Sequence, residues 1–392
     1  SEARFLHALE FCMLLPGPEA QQLATWIGWS LHGTRGGVVA GTLFVLPGLV
    51  VVLALSALYA VFHQTSWLQG LFFGLEAAVV AIVAEALVRI GRRALHGRAA
   101  LATAIAAFLA LFVFAVPFPL VIVAAGLLGW GANRLDPRLF ARTRKPEDDA
   151  AERPGGWATA GRTLVVWGAV WAAPAIAAVL VFGPGSTFAA LALFFSKMAV
   201  VGFGGAYALL AWVAQAAVST FGWLTADEMV HGLALAETTP GPLVLVLSFV
   251  GFLASFRDAA GLPPLIGGIL GGTIVAWATF APSFLWIFLF APHVEALRRR
   301  TGFAAALAAI GAAVVGVIAD LALWFALQVL FRETARFEAG PIAVVLPVPS
   351  SLDPVALALT AIAIVAIFSR RAGVPTTLAV CGAAGLALKT LG

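Results

Sequence analysis

Ala236-Glu237-Thr238-Thr239-Pro240-Gly241-Pro242 lies in the middle of a long apolar run, with Met229 to Leu235 leading in and Leu243 to Leu253 leading out. Pro-Gly-Pro cannot sit inside a continuous helix, because neither proline donates an N–H and each ring collides with the preceding turn. The backbone must open here, between flanks of membrane-interior composition. Opened backbone at that depth is tolerated only where protein buries it or where it lines a wet cavity. Leu14-Leu15-Pro16-Gly17-Pro18 is a second break near the start of the chain. Two breaks in corresponding places point to a binding site.

Composition supports the membrane reading. Of 392 residues, 62% are hydrophobic and 11% charged, against about 25% charged in a soluble domain. Mean hydropathy is +1.01. The chain is therefore predicted to be an all-α polytopic membrane protein with about a dozen membrane segments. Its pI near 9.6 comes from a few arginine clusters that read as topology signals. No basic patch carries the polar aromatics of a nucleic-acid surface, so nucleic acid is excluded as a partner. Cys12 and Cys381 lie in apolar stretches without His or Cys at ligand spacing, which argues against a disulfide framework or a metal site. No signal-peptide pattern is present.

In chain order, two apolar half-segments over 5–31 flank the first break. A glycine-rich turn at 32–37 leads to a span ending near 62 and interrupted at Pro47-Gly48, and further spans run over 68–90, 99–116 and 118–131. The polar stretch 133–158 reads as an exposed linker. Spans then fall near 160–182, 187–222, 226–256, 264–291, 302–330, 354–369 and 374–390, with a loop at 332–353.

The two halves match. His7 and Pro16 recur as His231 and Pro240, displaced by 224 positions. Gly36-Gly37, Pro47, Ala77-Ala78-Val79-Val80 and Glu85 recur as Gly271-Gly272, Pro282, Ala312-Ala313-Val314-Val315 and Asp320, all displaced by 235. Arginine placement orients the halves. The loop at 63–67 has no Lys or Arg and the next holds Arg89, Arg92, Arg93 and Arg98; in the second half the first loop holds Arg298-Arg299-Arg300 and the 332–353 loop has two arginines against three acids. The final turns repeat the swap, with Arg370-Arg371 only in the second half. Under the positive-inside rule the repeats are inverted, which with broken helices is the signature of a secondary transporter. The expected domains are a first repeat over 1–132, a cytoplasmic linker over 133–158, an inverting helix over 159–185 and a second repeat over 186–392. By repeat symmetry the sequence starts inside its first repeat, with roughly forty residues expected ahead of it. The shared site is then expected to stand open on one side.

Several residues could carry the chemistry. A half-helix beginning after Pro-Gly-Pro turns free N–H groups and its positive dipole end to the cavity, which suits an oxyanion. Glu237, Thr238 and Thr239 close the incoming half-helix, and Glu19 and Gln22 follow the first break. One such break alone reads equally as a proline kink satisfied by its neighbours. Gly202-Phe203-Gly204-Gly205-Ala206-Tyr207 is either a further opening or close small-residue packing. Lys197, in mid-segment, needs an anion or partner unless it snorkels. Glu85 and Asp320 read as proton-relay groups, with an ion pair to Arg89 as the competing role for Glu85. Glu10 and Glu76 are weaker candidates, and His7 and His231 read as packed or hydrogen-bonded. The substrate-binding set is thus Gly17, Glu19, Gln22, Lys197, Gly204, Gly205, Tyr207, Thr238, Thr239 and Gly241. Pro16, Pro18, Pro240 and Pro242 are the helix breaks, and Glu85, Glu237 and Asp320 the coupling candidates. No nucleophile–base, zinc-protease or paired-Asp motif occurs in the spans, so neither catalysis nor a cofactor is expected.

Four motifs bear a family resemblance: Pro16 through Trp29, Gly36-Gly37 with Leu46-Pro47-Gly48, Phe203-Gly204-Gly205-Ala206-Tyr207, and Leu235 through Pro242. They resemble the two-domain chromate ion transporter family over nearly the whole chain. That family's first repeat opens with its own Phe-Gly-Gly-Pro segment, which this sequence lacks. The resemblance implies a multi-pass protein of the bacterial inner membrane that exports chromate, driven by the membrane potential or a proton gradient and conferring resistance. Some members of the family are thought to handle sulfate. Nothing in spacing or composition identifies chromium. The expected partners are a chromate or sulfate dianion and the lipid bilayer, with a homodimer left open. An anion channel of the same fold is the alternative.

Overall fold

Breaks, turns and caps cut the apolar sequence into helices in the computed structural model, which describes residues 8–9, 11–12, 15–136, 139–140, 157–203, 205–239, 241–291, 301–369 and 372–391. Helix α1 is Glu19–Phe62, α2 Ser66–Ala94, α3 Arg98–Phe112, α4 Phe118–Leu135, α5 Trp157–Phe182 and α6 Thr187–Val201. Next come α7 Ala206–Gln215 with a π turn over Ala216–Thr220, α8 Ala226–Thr238, α9 Val246–Arg257 and α10 Pro264–Phe290. The chain continues with α11 Thr301–Leu330, strands β1 Thr334–Ala339 and β2 Ile342–Pro347, α12 Pro354–Phe368 and α13 Val374–Leu391. Six described helices are long and apolar enough to cross a membrane, and six shorter helical stretches are apolar as well. The chain is an all-α polytopic membrane protein, with one small β-hairpin among the described residues.

Helix starts are written locally. Ser186 caps α6, Thr225 and Glu228 form a capping box on α8, and Asp353 accepts from the Val355 and Ala356 N–H groups at the head of α12. Such side chains satisfy N–H groups that have no partner within the helix.

Two expectations are corrected. Residues 34–37 are helical, and the turn is His32-Gly33 alone, the two residues of α1 that leave helical space. Pro47 does not interrupt α1, which runs on through it: one proline removes one hydrogen bond, and a transmembrane helix can absorb that loss. The polar loop at 332–353 also contains more order than expected. β1 pairs antiparallel with β2 from Thr334↔Pro347 to Ala339↔Ile342. The expected linker over 133–158 falls mostly outside the described residues.

The chain forms two compact units, and each draws on both halves of the sequence. The first comprises Ser1–Leu53, Ala125–Leu209 and Pro240–Ile310. Its hub is α10, against which α9, α5 and α6 pack. The first arm of α1, residues 19–31, is about 20 Å long, short of the ~30 Å hydrocarbon core. It turns at His32-Gly33 and packs on the returning arm. Gly28 and Gly36 face each other so closely that a β-carbon on either would strike the other's carbonyl. The short helix α9 returns as α10 in the same way, with Gly251 on Gly271. Each Pro-Gly-Pro break is thus followed by a half-length helix and a tight hairpin. Small residues do this work because membrane helices associate through close packing rather than hydrophobic drive.

The second unit comprises Ala54–Ala124, Leu210–Thr239 and Gly311–Gly392, with α2 as hub for α8, α12 and α13. Residues 77–83 of α2 are all buried. Gly74 lies against the Cys381 carbonyl of α13, and Gly316 of α11 against the Ala104 carbonyl of α3. One end of this unit gathers residues 63–69, 225–228, 332, 353–355 and 385–389 around a cavity of about 670 Å³.

Candidate functional site

The first break is buried, from Leu15 through Pro18. Gly17 has φ +110°, a conformation that a side chain strongly disfavours, and its N–H donates to the Gly202 carbonyl at 3.0 Å. The Pro-Gly-Pro break and the 202–205 break are therefore joined through backbone. Gln22, one turn into α1, donates from Nε2 to the Pro16 carbonyl at 2.7 Å. A β-carbon on Gly17 would lie 3.1 Å from that Nε2 and 3.4 Å from Ser283 Oγ of α10. Gly17 thus keeps open the space that these two polar side chains border. Gly205 has φ +85°, and Glu19 Oε1 lies 3.7 Å from where its β-carbon would be.

Four buried polar atoms on α1 and α10 have no hydrogen-bond partner among the described residues: Gln21 Oε1, Gln22 Oε1, Thr279 Oγ1 and Ser283 Oγ. Gln21 reaches the Phe280 carbonyl from Nε2 at 3.5 Å, and Thr279 and Ser283 share a face of α10 one turn apart. Buried polar atoms are nearly always paired with protein or water. Gln22 and Ser283, which meet at Gly17, make a place for a polar guest.

The second break is more open. Gly241 has φ +133° and is exposed, as is Thr238. Gly241 approaches Gly48, which follows Pro47 in α1, at 3.5 Å from its β-carbon position. The two breaks are thus reciprocal. Gly17 meets the residue after Pro282, and Gly241 meets the residue after Pro47. These partners stand at the offsets of 224 and 235 seen in the sequence.

The remaining expected residues are distributed unevenly. Lys197 is exposed on α6, on the same face as Leu193 and Val200, while Phe195, Met198 and Ala199 face inward. Thr238 and Thr239 donate their hydroxyls to the Leu235 and Ala236 carbonyls at the end of α8, where helix carbonyls lack internal partners. Glu237 and Tyr207 are half-buried, and Asp320 is half-buried in α11. Glu85 pairs with Arg89 at 3.2 Å, the structural alternative named for it above. Gly204, Pro240, His7 and Glu10 lie outside the described residues. Gln21, Thr279 and Ser283 escaped the sequence reading. Only the 235-residue match of Pro47-Gly48 to Pro282-Ser283 could have signalled Ser283.

Half-helices that meet inside an apolar bundle, with polar groups facing one another, define a membrane transport protein rather than an enzyme. The family model described as Chromate transporter matches residues 1–130 and 189–386, and the chain belongs to that family. It is 32% identical over 321 residues to a chromate transport protein of Pseudomonas aeruginosa, covering 81% of this chain and 70% of that one. It is 27% identical over 319 residues to a chromate transport protein of Cupriavidus metallidurans, covering 81% and 71%. It is also 27% identical over 350 residues to a probable chromate transport protein of Synechococcus elongatus, covering 88% and 80%. No solved structure matches the chain.

Proposed function

We propose that this protein is a secondary active transporter that exports chromate across the bacterial inner membrane and thereby confers resistance. The observation that carries the site is the space that Gly17 leaves open between two buried donors, Gln22 Nε2 and the unpartnered Ser283 Oγ. The dianion would be held by the N–H groups that open α1, the Gln22 amide and the Ser283 hydroxyl. Neutral donors at a helix N-terminus suit a tetrahedral oxyanion, and none of them binds it so tightly that release is blocked. Glu19 borders the same space, so anion occupancy and the charge on Glu19 oppose each other. Glu85, Glu237 and Asp320 remain coupling candidates. The reciprocal packing of the two breaks supports inverted repeats that share one site. An inside-negative potential favours outward movement of a dianion by about 4.6 kcal/mol per 100 mV.

The test is flux of labelled chromate and of sulfate in proteoliposomes under an imposed potential. Saturable chromate flux that competing sulfate inhibits weakly supports the proposal. Preferred sulfate flux moves the reading to a sulfate carrier, non-saturating conductance to a channel, and absence of both fluxes ends it.

A further inference from the structure

The second unit holds a hydrogen-bonded line of three side chains that the substrate site does not use. His231, on α8, places Nε2 2.6 Å from Glu76 Oε1 of α2 and Nδ1 2.8 Å from the Tyr59 hydroxyl. The His231 and Glu76 side chains are each 18% exposed, and Tyr59 is buried. A nitrogen facing a carboxylate carries a hydrogen, so the neutral ring presents Nδ1 as acceptor and the Tyr59 O–H donates to it. The ring of Phe72 lies 4.3 Å from that of His231, where its face favours an imidazolium. His63 stacks on Tyr59 at 5.5 Å.

All of these groups border the 670 Å³ cavity, save the buried Phe72. The other charged groups facing it come from each surrounding element. From α8 come Asp227 and Glu228, the latter held in its capping box; from the ends of α11 and α12 comes the Arg332–Asp353 pair at 2.8 Å; from α13 comes Lys389. The loops that meet here, 63–65 and 331–353, are those that the positive-inside rule places outside the cytoplasm. The arginine-rich loop at 92–98 lies at the opposite end of α2.

We infer that Tyr59–His231–Glu76 is a proton-uptake site, filled from the extracytoplasmic side, that couples proton entry to oxyanion export; the coupling rests on the transport reading above. A proton from cavity water binds Nδ1, the Glu76 carboxylate balances the imidazolium, and Nδ1–H now donates to the Tyr59 oxygen, whose own hydrogen must turn away. Uptake thus reverses one hydrogen bond. His231 lies two turns before Thr238 on α8, so that reversal acts on the helix whose end leads into the second break.

Two readouts test the inference on the full chain in lipid nanodiscs and proteoliposomes. In the first, histidine-ring NMR as a function of pH should show, among the ring signals of the six histidines, one that His231→Gln removes and whose pH response both Glu76→Gln and Tyr59→Phe change. In the second, with the extracytoplasmic side acidified, the wild-type chromate ratio should rise by up to about tenfold per pH unit per coupled proton. His231→Gln should abolish that rise, and His96→Gln, at an exposed loop position, should retain it. If His231→Gln does not assemble, Tyr59→Phe, which removes one oxygen, reads the same two effects. A His231 ring that does not titrate, titrates without regard to Tyr59 and Glu76, or is dispensable for the pH response overturns the inference. Loss of all oxyanion flux in the wild type sinks the transport reading instead, and the NMR arm still decides whether the proton site exists.

Discussion

Replacing Gln22 with leucine separates a structural tie from a substrate ligand. The side chain is buried, its Nε2 donates to the Pro16 carbonyl at 2.7 Å, and its Oε1 has no partner among the described residues. Leucine has similar volume, so no large cavity forms. Losing the bond leaves the Pro16 carbonyl unsatisfied, at about 1–3 kcal/mol, while removing the orphaned Oε1 returns a similar amount. Stability should therefore change little, by about 1 kcal/mol at most. Binding should change far more. The second hydrogen on Nε2 borders the space at Gly17, and a neutral donor to a charged oxygen contributes about 1.5–3 kcal/mol, or roughly 10- to 150-fold in Kd. Calorimetric titration of chromate and sulfate into the purified protein, beside a thermal melt, reads both quantities. Gln22→Glu should weaken binding further, because a carboxylate would face the dianion. Unchanged affinity in Gln22→Leu together with a large fall in thermal stability would refute the assignment and leave Gln22 as a brace for the break.

Other outcomes follow from the same geometry. Lys197→Ala should change chromate flux by less than about twofold, since exposed charges contribute little; a larger loss in the liposome assay would show that the lysine reaches the anion. Gly271→Ala places a β-carbon 2.5 Å from both the Gly251 carbonyl and Ser255 Cβ, so overpacking of about 1–3 kcal/mol should lower the melting temperature and open the α9–α10 hairpin. Asp353 is held below the usual carboxylate range, first by its hydrogen bond from Arg332 and then by the Ala356 and Val355 N–H groups, against a desolvation that raises it. A lowered folded-state pKa contributes stability above the unfolded value of about 3.9, and that stability is lost as pH falls through the folded value. The melting temperature should accordingly lose this contribution only below about pH 4. Asp353→Ala should cost about 1 kcal/mol for the cap at neutral pH, more than Asp353→Asn, and abolish that part of the acid response.

Much of this protein is legible in its sequence, because proline and charge act locally. Pro16, Pro18, Pro240 and Pro242 forbid continuous helix wherever the chain is placed, and the scarcity of charge forces the lengths between them into a bilayer. The offsets of 224 and 235 relate one contact to the other, carrying Gly17 beside Ser283 onto Gly241 beside Gly48. Pro47 misled because one proline costs one hydrogen bond, whereas Pro-Gly-Pro removes two donors and adds a residue free to leave helical space.

The sequence by itself determined the all-α membrane class, the two breaks and the family. Only the tertiary structure decided that Lys197 is exposed on α6, that Ser283 borders Gly17 at the first break, and that His231 joins Tyr59 to Glu76. The physical reason lies in the helices themselves. A segment apolar on every side carries no stripe to distinguish its lipid face from its packed face, so which side chains turn inward is settled only by the glycines and neighbouring helices that it meets.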